Sequence, residues 1–428
     1  MAGARQAVVS VLAPPSISWF SVGFAVIAAV WLTLDSARAD GVALAALCAV
    51  CLSGWVSRSL AGPVPSAAAA WSLVACSLLA EWVVYAGMAA TAGLRPAAAA
   101  VNGLAAGELR GTFVAGLGGA GAEGVWRLAV TAVIVTALLP MVDVCVHGSP
   151  QSQPEAGLAG TALPGTGLSG TALPGAGLPG AGLPGTQVAA RRLFGVPGDI
   201  RLPLTGAVVL FCGDRAGFAA VIVLGLIAIA AVVIGGPRGG YPDERRGYRG
   251  DGWLAVRIGK FVKGRLPPMV PLVVGLLVTG VLVALGLRNL PGILVLTPVE
   301  AMLLAALGSW HPHDGRSDWL VPPLIQAAEY VFLSEVGFAS RLWPPVTFAL
   351  VAAAGLRHLD LAYRVRGGLA LGIDHRGFGW EGRMIIAGIA AVFGVQVVVY
   401  PLLTAYLWWL TARDWAVGWS ARHATVNG

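Results

Sequence analysis

Apolar residues fill this chain in long unbroken runs, not in the alternating or three-to-four spacing of a soluble domain. The runs are Trp19–Leu34, Gly41–Trp55, Ala67–Ala90, Val125–Val146, Leu204–Cys212 with its flanks, and Gly217–Gly235. After a polar break come Pro268–Leu287, Ile293–Leu307, Leu320–Phe338, Pro344–Leu356 and one long run from Met384 to Leu410. Each predicts a helix in the apolar layer of a membrane, where backbone groups must satisfy one another internally. The last run holds Pro401 and suits either one tilted helix or two short ones. The pattern therefore predicts an all-α polytopic membrane protein of 11–12 transmembrane helices in two six-helix halves.

Composition sharpens this. Of 428 residues, 57% are apolar and 11% charged, whereas a soluble domain carries about 25% charged residues. Too little polar surface exists to cover the chain in water. A soluble enzyme, a secreted disulfide scaffold and a disordered regulator are excluded. The first run has a second reading as a signal peptide, because Arg5 precedes it and Ala37-Arg38-Ala39 follows it. Its length favours a retained anchor.

The net charge of +7 resides in the loops. With the N-terminus inside, inner loops carry Arg5, Arg58, the arginines of 191–201, the basic residues of 238–265, Arg316 and the arginines of 357–383. Outer loops carry only Arg38, Arg95, Arg110, Arg127, Arg215, Arg288 and Arg341. This bias predicts a cytoplasmic N-terminus in the cell membrane, and membrane topology rather than nucleic-acid binding.

Two breaks interrupt the runs. Six Pro/Gly-rich pentads over Ala156–Gly185 predict a disordered loop within 148–190. A basic linker over 237–266 divides a first domain, 1–236, from a second, 267–428. Inside the linker, Trp253, Val256, Ile258, Phe261 and Val262 alternate with Arg257, Lys260, Lys263 and Arg265. That stretch is either a helix lying on an anionic leaflet or an ordinary positive-inside loop.

Candidate chemistry is sparse. Gly116–Gly121 fits a G-x-G-x-x-G pattern without a preceding strand, and Cys48 and Cys51 fall inside an apolar run as small packing residues. His311, His313 and Asp314 form a metal site or, with Trp310 and Pro312, an interfacial turn. No metal or cofactor is expected. More telling are Glu81, Asp143, Glu300, Glu329 and Glu335, because a carboxylate in an apolar run is costly unless paired or hydrated.

The densest polar stretch is 357–366, where helical spacing sets Asp360, Tyr363 and Arg364 on one face. Glu381 and Arg383 close the same loop, and Glu329 with Tyr330 follows the Pro322-Pro323 kink. Glu329, Tyr330, Asp360, Tyr363, Arg364, Arg366, Glu381 and Arg383 thus form a candidate cluster. It is either a head-group site, with arginine forks for phosphate, or a salt-bridged network between helices.

The ordered motifs Asp318-Trp-Leu-Val-Pro-Pro323, Ala327-Ala-Glu-Tyr330, the 357–366 stretch and Trp380-Glu-Gly-Arg383 resemble an actinobacterial membrane domain of unknown function. In that family the domain typically follows a CDP-alcohol phosphatidyltransferase domain on the same chain. The six upstream runs are similar in number to that enzyme's six helices, and Ser53-Gly54-Trp55-Val56-Ser57-Arg58 resembles a remnant of its D-x-x-D-G-x-x-A-R motif. The resemblance implies metal-binding aspartates at Val50, Ser53, Leu73 and Ser77, with Trp71 and Ala75 the ungapped alternatives for the last two. None of these is acidic, and from Gly41 to Leu94 the sole acid is Glu81. A two-metal site needs several oxygen ligands, so this half is expected to lack that activity.

The sequence expectation is therefore a non-catalytic lipid-binding or partner subunit in envelope phospholipid or glycolipid metabolism. Its expected partners are membrane lipids, a membrane protein or a second copy, and not nucleic acid. The alternatives are an enzyme acting on a phospholipid or polyprenyl phosphate through the C-terminal half, and an ion-coupled transporter using Glu300, Glu329 and Glu335.

Overall fold

The computed structural model describes residues 14–34, 37–61, 67–94, 121–147, 198–235, 250–263, 266–288, 292–311, 317–340, 342–366 and 375–426. The pentad repeat, residues 116–120 of the glycine-rich run, His313 and Asp314 lie outside them. Every regular element among the described residues is helical. Among the described residues, six helices precede the basic break: α1 (Pro14–Leu32), α2 (Ala37–Ala61), α3 (Ala67–Leu94), α4 (Gly121–His147), α5 (Gly198–Cys212) and α6 (Asp214–Gly235). A short helix, α7 (Trp253–Val262), lies within it. Six more follow: α8 (Met269–Arg288), α9 (Ile293–Gly308), α10 (Val321–Ala339), α11 (Pro344–Arg366), α12 (Gly379–Phe393) and α13 (Gln396–Val426).

The chain is an all-α polytopic membrane protein. Among the described residues, five segments are long and apolar enough to cross a membrane: Arg38–Leu60, Ala70–Thr91, Ala122–Val146, Asp214–Ile234 and Pro344–Val365. Shorter apolar helices run over Ile17–Leu32, Met269–Leu285 and Ile293–Gly308. The outward faces are as apolar as the core: Val273, Leu277 and Val281 of α8 and Leu402 of α13 are all exposed. Helices that are apolar on both faces suit a hydrocarbon surround.

The last apolar run is two helices. The break falls at Gly394, whose φ of 69° caps α12 in the left-handed region that glycine adopts without strain. Pro401 lies inside α13 without ending it.

Close packing of small residues sets the helix neighbours. α1 lies against both α2 and α3, which touch each other little. Gly87 of α3 permits this approach, since a Cβ there would stand 2.8 Å from the Ala29 Cα of α1. The two sequence halves share one continuous core. α4 packs on α10 and α11, with Trp126 and Phe348 edge to face at 5.7 Å, and Gly355 of α11 fits against Ala137 and Trp82. Far along the chain, Trp415 of α13 meets Trp19 of α1 at 5.8 Å and Trp71 of α3 at 6.0 Å. These contacts bring the start of α1, the start of α3 and the end of α13 to one end of the bundle.

Candidate functional site

Polar side chains of the C-terminal half collect where α10 begins, α11 ends and α12 begins. A single 3-10 turn, Asp318–Leu320, leads into α10, and Pro322 and Pro323 occupy its first turn, where their missing N–H groups cost nothing. Two turns further on, Glu329 is completely buried. Arg383 of α12 grips it, with Nε donating to Oε1 at 2.6 Å and Nη2 donating to Oε2 at 3.0 Å. Nη1 of the same guanidinium donates to the Gly377 carbonyl at 2.9 Å. His358 of α11 completes the group, its Nε2 lying 2.7 Å from Glu329 Oε2 and 2.8 Å from Arg383 Nη2. One ring nitrogen serves only one of these neighbours, donating to the carboxylate or accepting from the guanidinium. The Tyr330 ring stands edge to face with His358 at 5.9 Å.

A second network begins one residue earlier on α11. Arg357 Nη1 donates to Asp360 Oδ2 at 3.3 Å and to Asp414 Oδ2 of α13 at 2.9 Å. Arg364 Nε donates to Asp360 Oδ2 at 2.8 Å, the i, i+4 pair that helical spacing predicts. Arg376 reaches Asp414 Oδ1 at 3.9 Å from the loop before α12. Consecutive residues, Arg357 and His358, thus link α11 to α13 on one side and to α10 and α12 on the other.

Glu381 faces a different way. It stands in the first turn of α12, ahead of the apolar run that starts at Met384, and its Oε1 accepts the backbone N–H of Leu254 at 2.7 Å. This carboxyl occupies the N-terminus of α7, where helix N–H groups have no intrahelical partner. Gly252 and Gly379 make room for it, because a Cβ on either would collide with the carboxyl. Trp253 Nε1 donates to the Phe378 carbonyl at 3.1 Å beside it. Burial pushes the Glu381 carboxyl up to about 7, against the opposing pull of nearby backbone N–H groups and Arg383.

The structure therefore divides the sequence-predicted cluster. It joins Glu329 to Arg383, sets Tyr330 against their histidine partner, and joins Asp360 to Arg364. Glu381 it assigns to α7. Tyr363 is buried on α11, and the Arg366 side chain lies outside the described residues. Three partners were missed: Arg357, His358 and Asp414. The first two lie inside the quoted polar stretch. Asp414 belongs to a helix that continues well past Leu410, where the apolar run stops.

In the first half the sole acid of the second and third runs is committed. Arg201 of α5 forms a fork on Glu81, with Nη2 2.9 Å from Oε1 and 3.2 Å from Oε2. Tyr85 Oη donates to the same carboxylate at 3.5 Å. Val50 is buried in the core, while Leu73 and Ser77 are partly buried on α3. The Ser53 hydroxyl donates to the Val50 carbonyl at 2.9 Å and lies 2.7 Å from the Ser21 hydroxyl. These residues do not fit a two-metal centre: two side chains offer no oxygen and two offer a neutral hydroxyl. Among the described residues, no three His, Cys, Asp or Glu side chains gather as a metal site would need.

The other carboxylates of the apolar runs differ in their surroundings. Glu335 pairs with Arg127 of α4 at 3.5 Å, both side chains more than a third or close to a third exposed. The Arg127 guanidinium also lies over the Phe338 ring, 4.6 Å from its centroid. Glu300 of α9 accepts the Thr279 hydroxyl of α8 at 3.1 Å.

Comparison with known proteins adds one assignment. No curated protein and no solved structure matches the chain. Residues 248–412, which take in α7 and end within α13, match a family of unknown function, DUF5941.

Proposed function

We propose that this chain is a non-catalytic integral membrane protein, a lipid-binding or partner subunit in envelope phospholipid or glycolipid metabolism. It resides in the cell membrane with its N-terminus in the cytoplasm. Its first half is a CDP-alcohol phosphatidyltransferase-like bundle without that activity, and its second half is the membrane domain of unknown function that accompanies such bundles in actinobacterial chains. One observation carries the reading: Glu81, the sole acid between Gly41 and Leu94, is held by Arg201 instead of standing open to a metal. The arginines of the second half support it in the same way. Arg357, Arg364 and Arg383 each already have a carboxylate partner inside the bundle. The loop charges support the orientation.

Native mass spectrometry of gently extracted protein tests the proposal. Retention of a phospholipid or polyprenyl phosphate, of a stoichiometric second protein or of a second copy supports it. A bare monomer that turns over a radiolabelled CDP-lipid with divalent metal overturns it.

A further inference from the structure

The basic helix α7 is fixed in place by its neighbours, and this decides which of its faces stays open. Its N-terminus is capped by Glu381, and Ala255 and Gly259 are buried. A Cβ on Gly259 would collide with the Ser309 hydroxyl at the end of α9. Just beyond α7, the Leu266 N–H donates to the Leu307 carbonyl at 3.1 Å, and α8 starts at Met269. The helix is thus pinned beside the start of one apolar helix, α8, and the end of another, α9. Trp310, half exposed at that level, has the amphipathic character of an interfacial anchor.

The opposite face is open and two-natured. Arg257, Lys260 and Lys263 are exposed and have no acidic partner among the described residues. Between them Phe261 is 85% exposed, Val262 52% and Leu266 46%. A phenylalanine left this bare on a water-facing loop would be unfavourable, whereas at an interface its ring enters the acyl boundary while cations meet phosphates. Glu381, the acid that touches α7, is turned onto the backbone of that helix.

We infer that the open face of α7 is a docking surface for anionic phospholipid head groups of the bilayer in which the chain sits. Arg257, Lys260 and Lys263 bind the phosphates, and Phe261, Val262 and Leu266 enter the acyl boundary. This deepens the lipid-binding reading above and rests on it, naming the lipid class and the element that takes it. Of the two readings left by the sequence, it takes the helix lying on an anionic leaflet.

The test uses the full chain in nanodiscs of phosphatidylcholine or phosphatidylglycerol, compared with Arg257→Gln/Lys260→Gln/Lys263→Gln. All three side chains are exposed, so the variant is expected to fold. Two readouts are taken: lipid retained on transfer to detergent, by native mass spectrometry, and backbone hydrogen exchange over 253–263. Expected are preferential retention of phosphatidylglycerol, an affinity loss of about fivefold per charge removed, and slower exchange in anionic discs for the wild type alone. Equal phosphatidylglycerol retention by wild type and variant overturns the α7 assignment while leaving the lipid-binding reading standing. No lipid retained by either protein overturns both. Displacement of the lipid by inorganic phosphate alone would mark a free-anion site and overturn the lipid assignment.

Discussion

Arg383 and Glu329 form a two-pronged ion pair between α12 and α10 with neither side chain exposed. Two such ions leave a polar environment only when each of their donors and acceptors is met, and here His358 and the Gly377 carbonyl meet most of the remainder. The pair is a fixed joint between helices that are far apart in sequence.

Removing one partner strands the other. Arg383→Met is expected to cost about 3–5 kcal/mol, because the Glu329 carboxylate stays buried without its cation. Glu329→Gln/Arg383→Met should recover a large part of that loss, and Arg383→Lys little, since an ammonium cannot supply two parallel donors. Denaturant unfolding in nanodiscs measures all three. If Arg383→Met unfolds like wild type, the joint is not a joint.

Glu335 provides the contrast. Its partner Arg127 is also charged, but both side chains are partly exposed. Glu335→Gln is therefore expected to change stability by less than about 1 kcal/mol. The same measurement, run beside the Glu329 variants, would refute this if the two glutamates proved equally costly to remove.

Much of this arrangement was legible in the sequence. The runs gave the helices, since an unbroken run of about twenty apolar residues satisfies its own backbone in lipid as a helix. The i, i+4 spacing of Asp360 and Arg364 gave one ion pair. What spacing along one helix does not reveal is a partner on another. His358 was read as part of a polar stretch, yet its neighbours lie on α10 and α12. Glu381 looked like a member of the same cluster because it closes the same loop as Arg383, yet two residues apart on a helix point in different directions. Pro401 left open whether the last run is one helix or two, and the chain breaks instead at the residue that adopts a positive φ at no cost, Gly394.

Helix spacing in the first half depends on Gly87. A Cβ at this position meets backbone atoms of α1, not a yielding side-chain tip. Gly87→Val must push α1 from α3, and overpacking of this kind costs about 1–3 kcal/mol. Thermal unfolding followed by tryptophan emission reads the loss. An unchanged midpoint would show that α1 and α3 can part without penalty.

Reinstating acids in the transferase-like half is a direct test of whether it still forms a metal site. Val50 is 3% exposed within the core. Val50→Asp places a carboxyl in that apolar core, at a cost of several kcal/mol by the usual scale for buried polar groups. Manganese added to Val50→Asp, alone or with Ser53→Asp, is expected not to restore the unfolding midpoint. A metal-dependent recovery would mean that the remaining ligands are still gathered and would remove the main support for a non-catalytic half.

The Glu381 cap makes the docking of α7 depend on pH. Burial raises this carboxyl to about 7 in the folded chain, whereas an unfolded chain ionises it in the ordinary range near 4. Between those values the unfolded state has released the proton and the folded state has kept it, so stability falls as pH rises and levels off above about 7. Glu381→Gln keeps the Oε1 acceptor for the Leu254 N–H and has no proton to exchange. Wild type should lose protease resistance around 248–266 as pH rises from about 5 to about 8, while Glu381→Gln should stay level across the same range. Parallel loss in both proteins would mean that another group controls the docking of α7, and identical resistance at every pH in wild type would mean that the cap does not titrate in this window.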